Sequence, residues 1–169
     1  MRAAAEIIPI SEAHIEEFRE AVGSVAREGN FLTVLDAFPL ESTREYVLGN
    51  IANGYPHFIA ILDGKIVGWC DISLGSDRAV HQHCGTMGMG VLKPYRGMGI
   101  GRRLLVAAID AAGKKFQRIQ LSVRETNTNA RALYEKMGFI LEGTLRKEWH
   151  TNGVYYDTHV MALLLPPLA

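Results

Sequence analysis

The stretch GVLKPYRGMGIGRRLLVAAID, residues 90–110, holds the residues best placed for chemistry. Gly97, Gly99 and Gly101 alternate between a strand-like run and an apolar run of helical spacing, and Arg96, Arg102 and Arg103 flank them. The start of a helix carries unsatisfied N–H groups and the positive end of the helix dipole. Glycines there keep side chains out of a ligand's way and permit positive φ. Such a run of amides, with guanidinium groups beside it, cradles a phosphate or a diphosphate. The alternative is a tight strand-to-helix turn that holds no ligand. Two nucleotide-binding patterns are excluded. There is no G-x-x-x-x-G-K-S/T run, and a G-x-G-x-x-G register starting at Gly97 meets Arg102 at its third glycine.

Proton-transfer residues are less clearly marked. His81 and His83 share one facing if their segment is a period-two strand, and imidazole titrates in the useful range. The H-x-H pair has no third ligand near it in sequence, so no metal is expected. A hydrogen-bonded or solvated side chain is the competing reading of His83. Asp71, Glu125 and His150 are further candidates that no spacing argument supports.

These residues need elements to hold them. AEIIPI reads as a first strand. Ser11 is an N-cap for a helix with Ile15, Phe18, Val22 and Val25 at helical spacing, ended by Gly29-Asn30. A second helix runs from Glu41 to about Asn50, with Tyr46, Val47 and Ile51 on its apolar side. HFIAIL and KIVGWCDI flank Asp63-Gly64 as a hairpin, and residues 75–79 form a polar loop. HQHCGTMGMGVL reads as one long strand whose glycines mark a bulge or a close approach. A helix from Ile100 to about Lys115 follows, then the strand FQRIQLSV, then the short helix NARALYEKM ended by Gly138. A last hairpin turns at Asn152-Gly153. The order is that of a mixed α/β domain with one sheet, and 169 residues suit a single domain, 1–169.

Composition narrows the classes. Lys plus Arg equals Asp plus Glu, 18 each, which argues against bulk attraction to nucleic acid or an anionic membrane. No apolar run is long enough to span a bilayer. Cys70 and Cys84 form no C-x-x-C pair. With no secretion signal at MRAAAEIIPI, two lone thiols read as reduced and cytoplasmic.

RGMGIG fits the pattern R/Q-x-x-G-x-G/A and is preceded by MGV-x-x-x-Y; NTNARALYEKMGF, residues 127–139, fits N-x-x-A-x-x-L-Y-x-x-x-G-F. In order and separation these two motifs resemble the GNAT family of acetyl-CoA-dependent N-acetyltransferases. The match is specific over residues 83–139 and weak over the first eighty. The resemblance implies a single, mostly antiparallel, twisted sheet of about seven strands with about four helices on both faces. It also implies a splay between strands four and five. It implies acetyl-CoA as co-substrate, with no metal. The pantetheine arm would lie along Met89, Gly90 and Val91. The diphosphate would sit on Gly97, Met98, Gly99, Ile100, Gly101 and Arg102, with Arg96 opening the motif. Asn127 would bond the pantetheine arm, and Tyr134 would face the thioester sulfur as the acid for the leaving thiolate. The alternatives are a packed helix aromatic for Tyr134 and a helix-start residue for Asn127.

Several relatives place a glutamate base where this chain has Gly85 or Thr86, and Ser122. No carboxylate is there, which leaves His83 or a water relay for the base. The acceptor pocket is expected from the first two helices, their connection with Phe31 and Phe38, Tyr46, and the last hairpin with Trp149, Tyr155 and Tyr156. The acceptor would be a primary amine of a small molecule or amino acid. A protein N-terminus is the second enzyme reading, and a non-catalytic acyl-CoA-binding module is the third. Many such domains pair as dimers, and the exposed aromatics allow a homodimer here.

Overall fold

The computed structural model describes residues 4–168. Strand β1 (Glu6–Pro9) leads through a single 3-10 turn into α1 (Ile15–Ala26), and α2 (Leu40–Asn53) follows. Then come β2 (His57–Leu62), β3 (Lys65–Leu74), β4 (Cys84–Val91), α3 (Ile100–Ala112), β5 (Arg118–Arg124), α4 (Thr128–Lys136), β6 (Ile140–Thr151) and β7 (Val154–Leu164). The element order is the expected one. Both hairpin turns have the expected chemistry: φ is positive at Asp63 (51°), Gly64 (74°), Asn152 (51°) and Gly153 (74°), as a tight turn between twisted strands requires.

One strand is shorter than expected. Ala79–His81 forms a 3-10 turn, and β4 begins only at Cys84. The Gln82 amide closes this loop by donating to the carbonyls of Asp77 (3.1 Å) and Arg78 (3.3 Å). His81 and His83 therefore do not share a strand face.

The seven strands form one sheet in the order β1-β2-β3-β4-β5-β7-β6, in which β4–β5 is the parallel pairing and the others are antiparallel. Phe18, Val25 and Val47 of α1 and α2 pack with Ile59 and Trp69 on one face. Leu104 and Leu105 of α3 and Tyr134 of α4 pack with Phe116, Ile119 and Met161 on the other. Strand alternation assigns β3 to both layers: Cys70 and Ile72 join the α3 side, Trp69 the α1 side. No helix among the described residues is long and apolar enough to cross a membrane.

The feature that positions the site is the incomplete pairing of β4. Its residues Gly85–Val91 pair with Gly68–Leu74 of β3, but only Cys84–Thr86 pair with Arg118–Gln120 of β5. From Met87 onward the two parallel strands diverge, and the second edge of β4 is open. Ile119, fully buried, packs where they are still joined. Ile119→Val is expected to cost about 1 kcal/mol, read as a lower denaturant midpoint at unchanged slope.

Candidate active site

The glycine turn has the geometry its sequence suggested. Gly99 is the N-cap of α3 with φ 77° and ψ 2°, and Gly97 has φ 75°. A side chain added at either would meet nothing within 4 Å. Packing therefore does not require glycine there; the left-handed backbone and open access do. The first-turn N–H groups of α3 have no acceptor within the helix and face this open ground. The place fits an anionic group such as the diphosphate of acetyl-CoA.

The three arginines divide. Arg96 forms a two-pronged pair with Glu28, Nη1–Oε2 2.8 Å and Nη2–Oε1 2.6 Å, and its Nε donates to the Val91 carbonyl at 2.8 Å. Phe31 lies under its guanidinium at 4.5 Å, so Phe31 braces this arginine rather than lining a pocket. Arg96 thus ties the end of α1 to the end of β4. Arg103 donates to the Ala5 carbonyl at 2.6 Å. Arg102 remains exposed at the mouth of α3.

Met89, Gly90 and Val91 lie on the part of β4 whose outer edge is unpaired. A Cβ on Gly90 would stand 2.3 Å from the Trp69 ring, so glycine here lets the indole lie flat against the strand. Asn127 caps α4: its Oδ1 accepts from the Ala130 N–H at 3.3 Å, which leaves its amide nitrogen for another partner. Tyr134 is 7% exposed and packs against Phe139 at 5.9 Å between ring centres. Burial, and next the nearby Cys70, push its hydroxyl well above the ordinary tyrosine range, so it is protonated at neutral pH.

On the opposite face lies a cavity of about 540 Å³. Its walls are Phe18 and Val22 of α1, Leu32, Val34 and Phe38 of the connection, and Tyr46 of α2; its floor is Trp69, Asp71 and Ser73 of β3 and Thr86–Met89 of β4. Phe38 and Tyr46 are therefore where the sequence placed them, but no residue of the last hairpin lines the cavity. Trp149 and Tyr156 instead flank the Arg124 guanidinium, at 5.6 and 3.8 Å. Tyr155 stacks on His150 at 4.4 Å.

Asp71 is the group that sequence spacing did not single out. It is 6% exposed, and the Tyr46 hydroxyl donates to its Oδ1 at 2.5 Å. Burial pushes its carboxyl up to about 7, against a weaker opposing pull from that hydrogen bond. The same desolvation holds the neighbouring His57 down at about 4, hence neutral. The sequence carried one signal: an acid in the middle of the apolar strand KIVGWCDISL. Burying a charge there is costly without a reason.

The other proton-transfer candidates are placed elsewhere. His83 is exposed and precedes β4, its Nε2 3.4 Å from the Cys84 sulfur. Six residues of extended chain separate it from Met89, about 20 Å. Its position does not support the catalytic role expected of it. Glu125 accepts from the Asp157 N–H at 3.0 Å and steadies the last hairpin.

Comparison with known proteins agrees with this geometry. The model of the acetyltransferase (GNAT) family matches residues 20–139. An uncharacterized N-acetyltransferase of the SPbeta prophage of Bacillus subtilis is 34% identical over 119 residues, covering 68% of this chain and 64% of that protein. An L-amino acid N-acetyltransferase of Escherichia coli is 31% identical over 111 residues, 64% of this chain and 68% of that protein. Further relatives are named N-alpha-acetyltransferases. The chain thus spans about two thirds of the length of these relatives. The crystal structure of a GNAT-family acetyltransferase from Streptococcus pneumoniae superposes with a TM-score of 0.88 at 26% identity, covering 95% of this chain and 99% of that one.

Proposed function

This chain belongs to the acetyltransferase (GNAT) family, and we propose that it transfers an acetyl group from acetyl-CoA to a primary amine of a small molecule or amino acid, by direct attack in a ternary complex. The observation that carries the acceptor class is the cavity of about 540 Å³ on the α1–α2 face. Its volume is that of a small-molecule site. Its floor is the stretch of β4 whose other edge is open to the acyl carrier.

The residues have these roles in the proposal. Amides of Gly97, Met98, Gly99, Ile100, Gly101 and Arg102 hold the diphosphate, with the Arg102 side chain beside them. The backbone of Met89, Gly90 and Val91 receives the pantetheine arm. A free amide on this edge also stabilises the oxygen that gains charge when nitrogen attacks, and a donor so placed matters by about two to three powers of ten in rate. Asn127 offers its amide nitrogen to the same arm. Tyr134 donates to sulfur as it leaves.

The test is thiol release from acetyl-CoA with small amines, amino acids and short peptides, each product checked by mass for one added acetyl group. Transfer to small amines and amino acids is the expected result. Transfer to peptides alone would make the chain an N-terminal acetyltransferase. Tight coenzyme A binding with no transfer would make it an acyl-CoA-binding module.

A further inference from the structure

The acid that serves the acceptor can be argued from the cavity floor. Among the described residues Asp71 is the one carboxylate that lines this cavity, in which the other ionisable groups are Arg19 and Tyr46. It stands directly across from Gly88 of β4. A Cβ on Gly88 would lie 3.6 Å from both carboxylate oxygens, so the carboxylate rests over the strand backbone one residue before Met89. Among the described residues its hydrogen bond is the one from Tyr46 to Oδ1, which leaves Oδ2 for a ligand. A buried carboxylate with an unused oxygen, walled by Phe38, Leu32, Val34 and Phe18, suits a cation on an apolar body.

We propose that Asp71 receives the acceptor as the ammonium ion of an apolar-bodied primary amine and then takes its proton, acting as the general base. This rests on the acetyltransferase reading above and deepens it. The ammonium gives one proton to Oδ2. The freed lone pair forms the C–N bond at the thioester carbonyl carbon, and the C–S bond breaks with its electron pair going to sulfur. Tyr134 protonates that sulfur, and the surplus proton of the new amide nitrogen makes good the one Tyr134 gave. Asp71 returns its proton to water. The sum is ammonium plus thioester to amide, thiol and one released proton.

The surroundings suit the role. Tyr46 of α2 is held above its ordinary range by burial and by Asp71, so it stays a donor. His57 of β2, the cross-strand partner of Asp71, stays neutral near pH 7. Arg19 of α1 lines the cavity with NH1 on Glu20 at 2.8 Å. Cys70, next to it on β3, is pushed up by burial and stays a thiol. The stretch of β4 across from it, Met87–Met89, offers no titratable group. With its carboxyl near 7, Asp71 is ionised in part at neutral pH and strong enough as a base to accept a proton there.

The test uses acetyl-CoA with phenethylamine and with its difluorinated, weakly basic counterpart, on the wild type and Asp71→Asn. The wild type is expected to acetylate both, with kcat/KM rising through a pH near 7 for phenethylamine and, for the weakly basic amine, falling again as its ammonium ion is lost. Asp71→Asn is expected to lose about one to two powers of ten in kcat/KM, and its remaining pH dependence is expected to follow the basicity of each amine. Its thermal midpoint at pH 8 is expected to equal or exceed that of the wild type. Ionising a carboxyl whose folded pKa lies near 7, above its ordinary 3.8, costs stability as pH rises through that interval, and asparagine carries no such cost while still accepting from Tyr46. An Asp71→Asn kcat/KM within threefold of wild type for phenethylamine overturns the proposal and leaves acetyl transfer standing. Failure of the wild type on phenethylamine also overturns it, and failure on every amine tried removes the acetyltransferase reading as well.

Discussion

Tyr134→Phe is expected to lower kcat by about two to four powers of ten while the affinity for coenzyme A stays unchanged. Removing one oxygen leaves the ring packed on Phe139 at 5.9 Å, so the fold of α4 is kept. The lost proton matters only as sulfur takes up charge, which is why the effect falls on turnover and not on ground-state binding. The position supports this role. Tyr134 belongs to the core on the α3 face together with Cys70, and Cys70 pairs across the strands with Met89. Tyr134 thus belongs to the layer on the face of the sheet opposite the cavity. Because burial holds the hydroxyl above its ordinary range, no loss of activity from its ionisation is expected below pH 10. The check is steady-state kinetics beside calorimetric titration with coenzyme A; matching kcat values in the two proteins would remove Tyr134 from the acid role.

The sequence marked candidates for the cofactor half of this arrangement more fully than for the acceptor half, for a physical reason. The roles proposed for Gly97, Gly99, Asn127 and Tyr134 rest on local geometry: a turn, a cap, a helix face. Such features are written in short contiguous spacing. The order of elements along the chain and the hairpin turns at Asp63-Gly64 and Asn152-Gly153 were legible in the same way, whereas the divergence of β4 from β5 was expected from the family resemblance alone. The acceptor side is built by tertiary packing. Tyr46 reaches Asp71 only because α2 folds over β3, 25 residues away in sequence. No local pattern encodes that meeting. His83 drew attention because its imidazole titrates in the useful range on what read as a strand, but the Gln82 amide closes a loop there and β4 begins only at Cys84. Arg96 looked like a phosphate ligand by proximity, and Glu28, 68 residues earlier, claims it.

The two faces of the sheet meet at one strand. Beyond Thr86, β4 has a β3 neighbour on one side and open ground on the other. Asp71 lies over it from the α1 face, and Tyr134 belongs to the core of the α3 face. In the proposed roles, a base and an acid on opposite sides of a strand suit a reaction that takes a proton from the entering nitrogen and gives one to the departing sulfur. They also keep the two groups from neutralising each other. The glycine turn stands at the head of α3, on the same face as Tyr134, and in the proposed reading it would set how far the acyl carrier reaches toward that crossing.

Gly99→Val is expected to weaken coenzyme A binding by about two to four powers of ten. The residue holds φ at 77°, where a branched side chain is strained. Relief of that strain rotates the N-cap peptide and turns amides of the α3 mouth away from the diphosphate. Each hydrogen bond to a charged oxygen contributes about 1.5–3 kcal/mol, so the loss of two gives the stated range. Fold stability is expected to fall far less, because a Cβ at this position meets nothing within 4 Å and the buried Ile100 behind it is untouched. Gly99→Ala separates the contributions: it keeps much of the backbone strain but lacks the branch, and is expected to fall between wild type and Gly99→Val. Calorimetric titration with coenzyme A and with its dephosphorylated pantetheine fragment makes the comparison sharp. If the turn holds the diphosphate, the substitution removes affinity for the whole molecule and leaves that for pantetheine nearly unchanged. Equal losses for both ligands would mean that the mouth of α3 does not hold the diphosphate, and that Gly99 acts only through the fold.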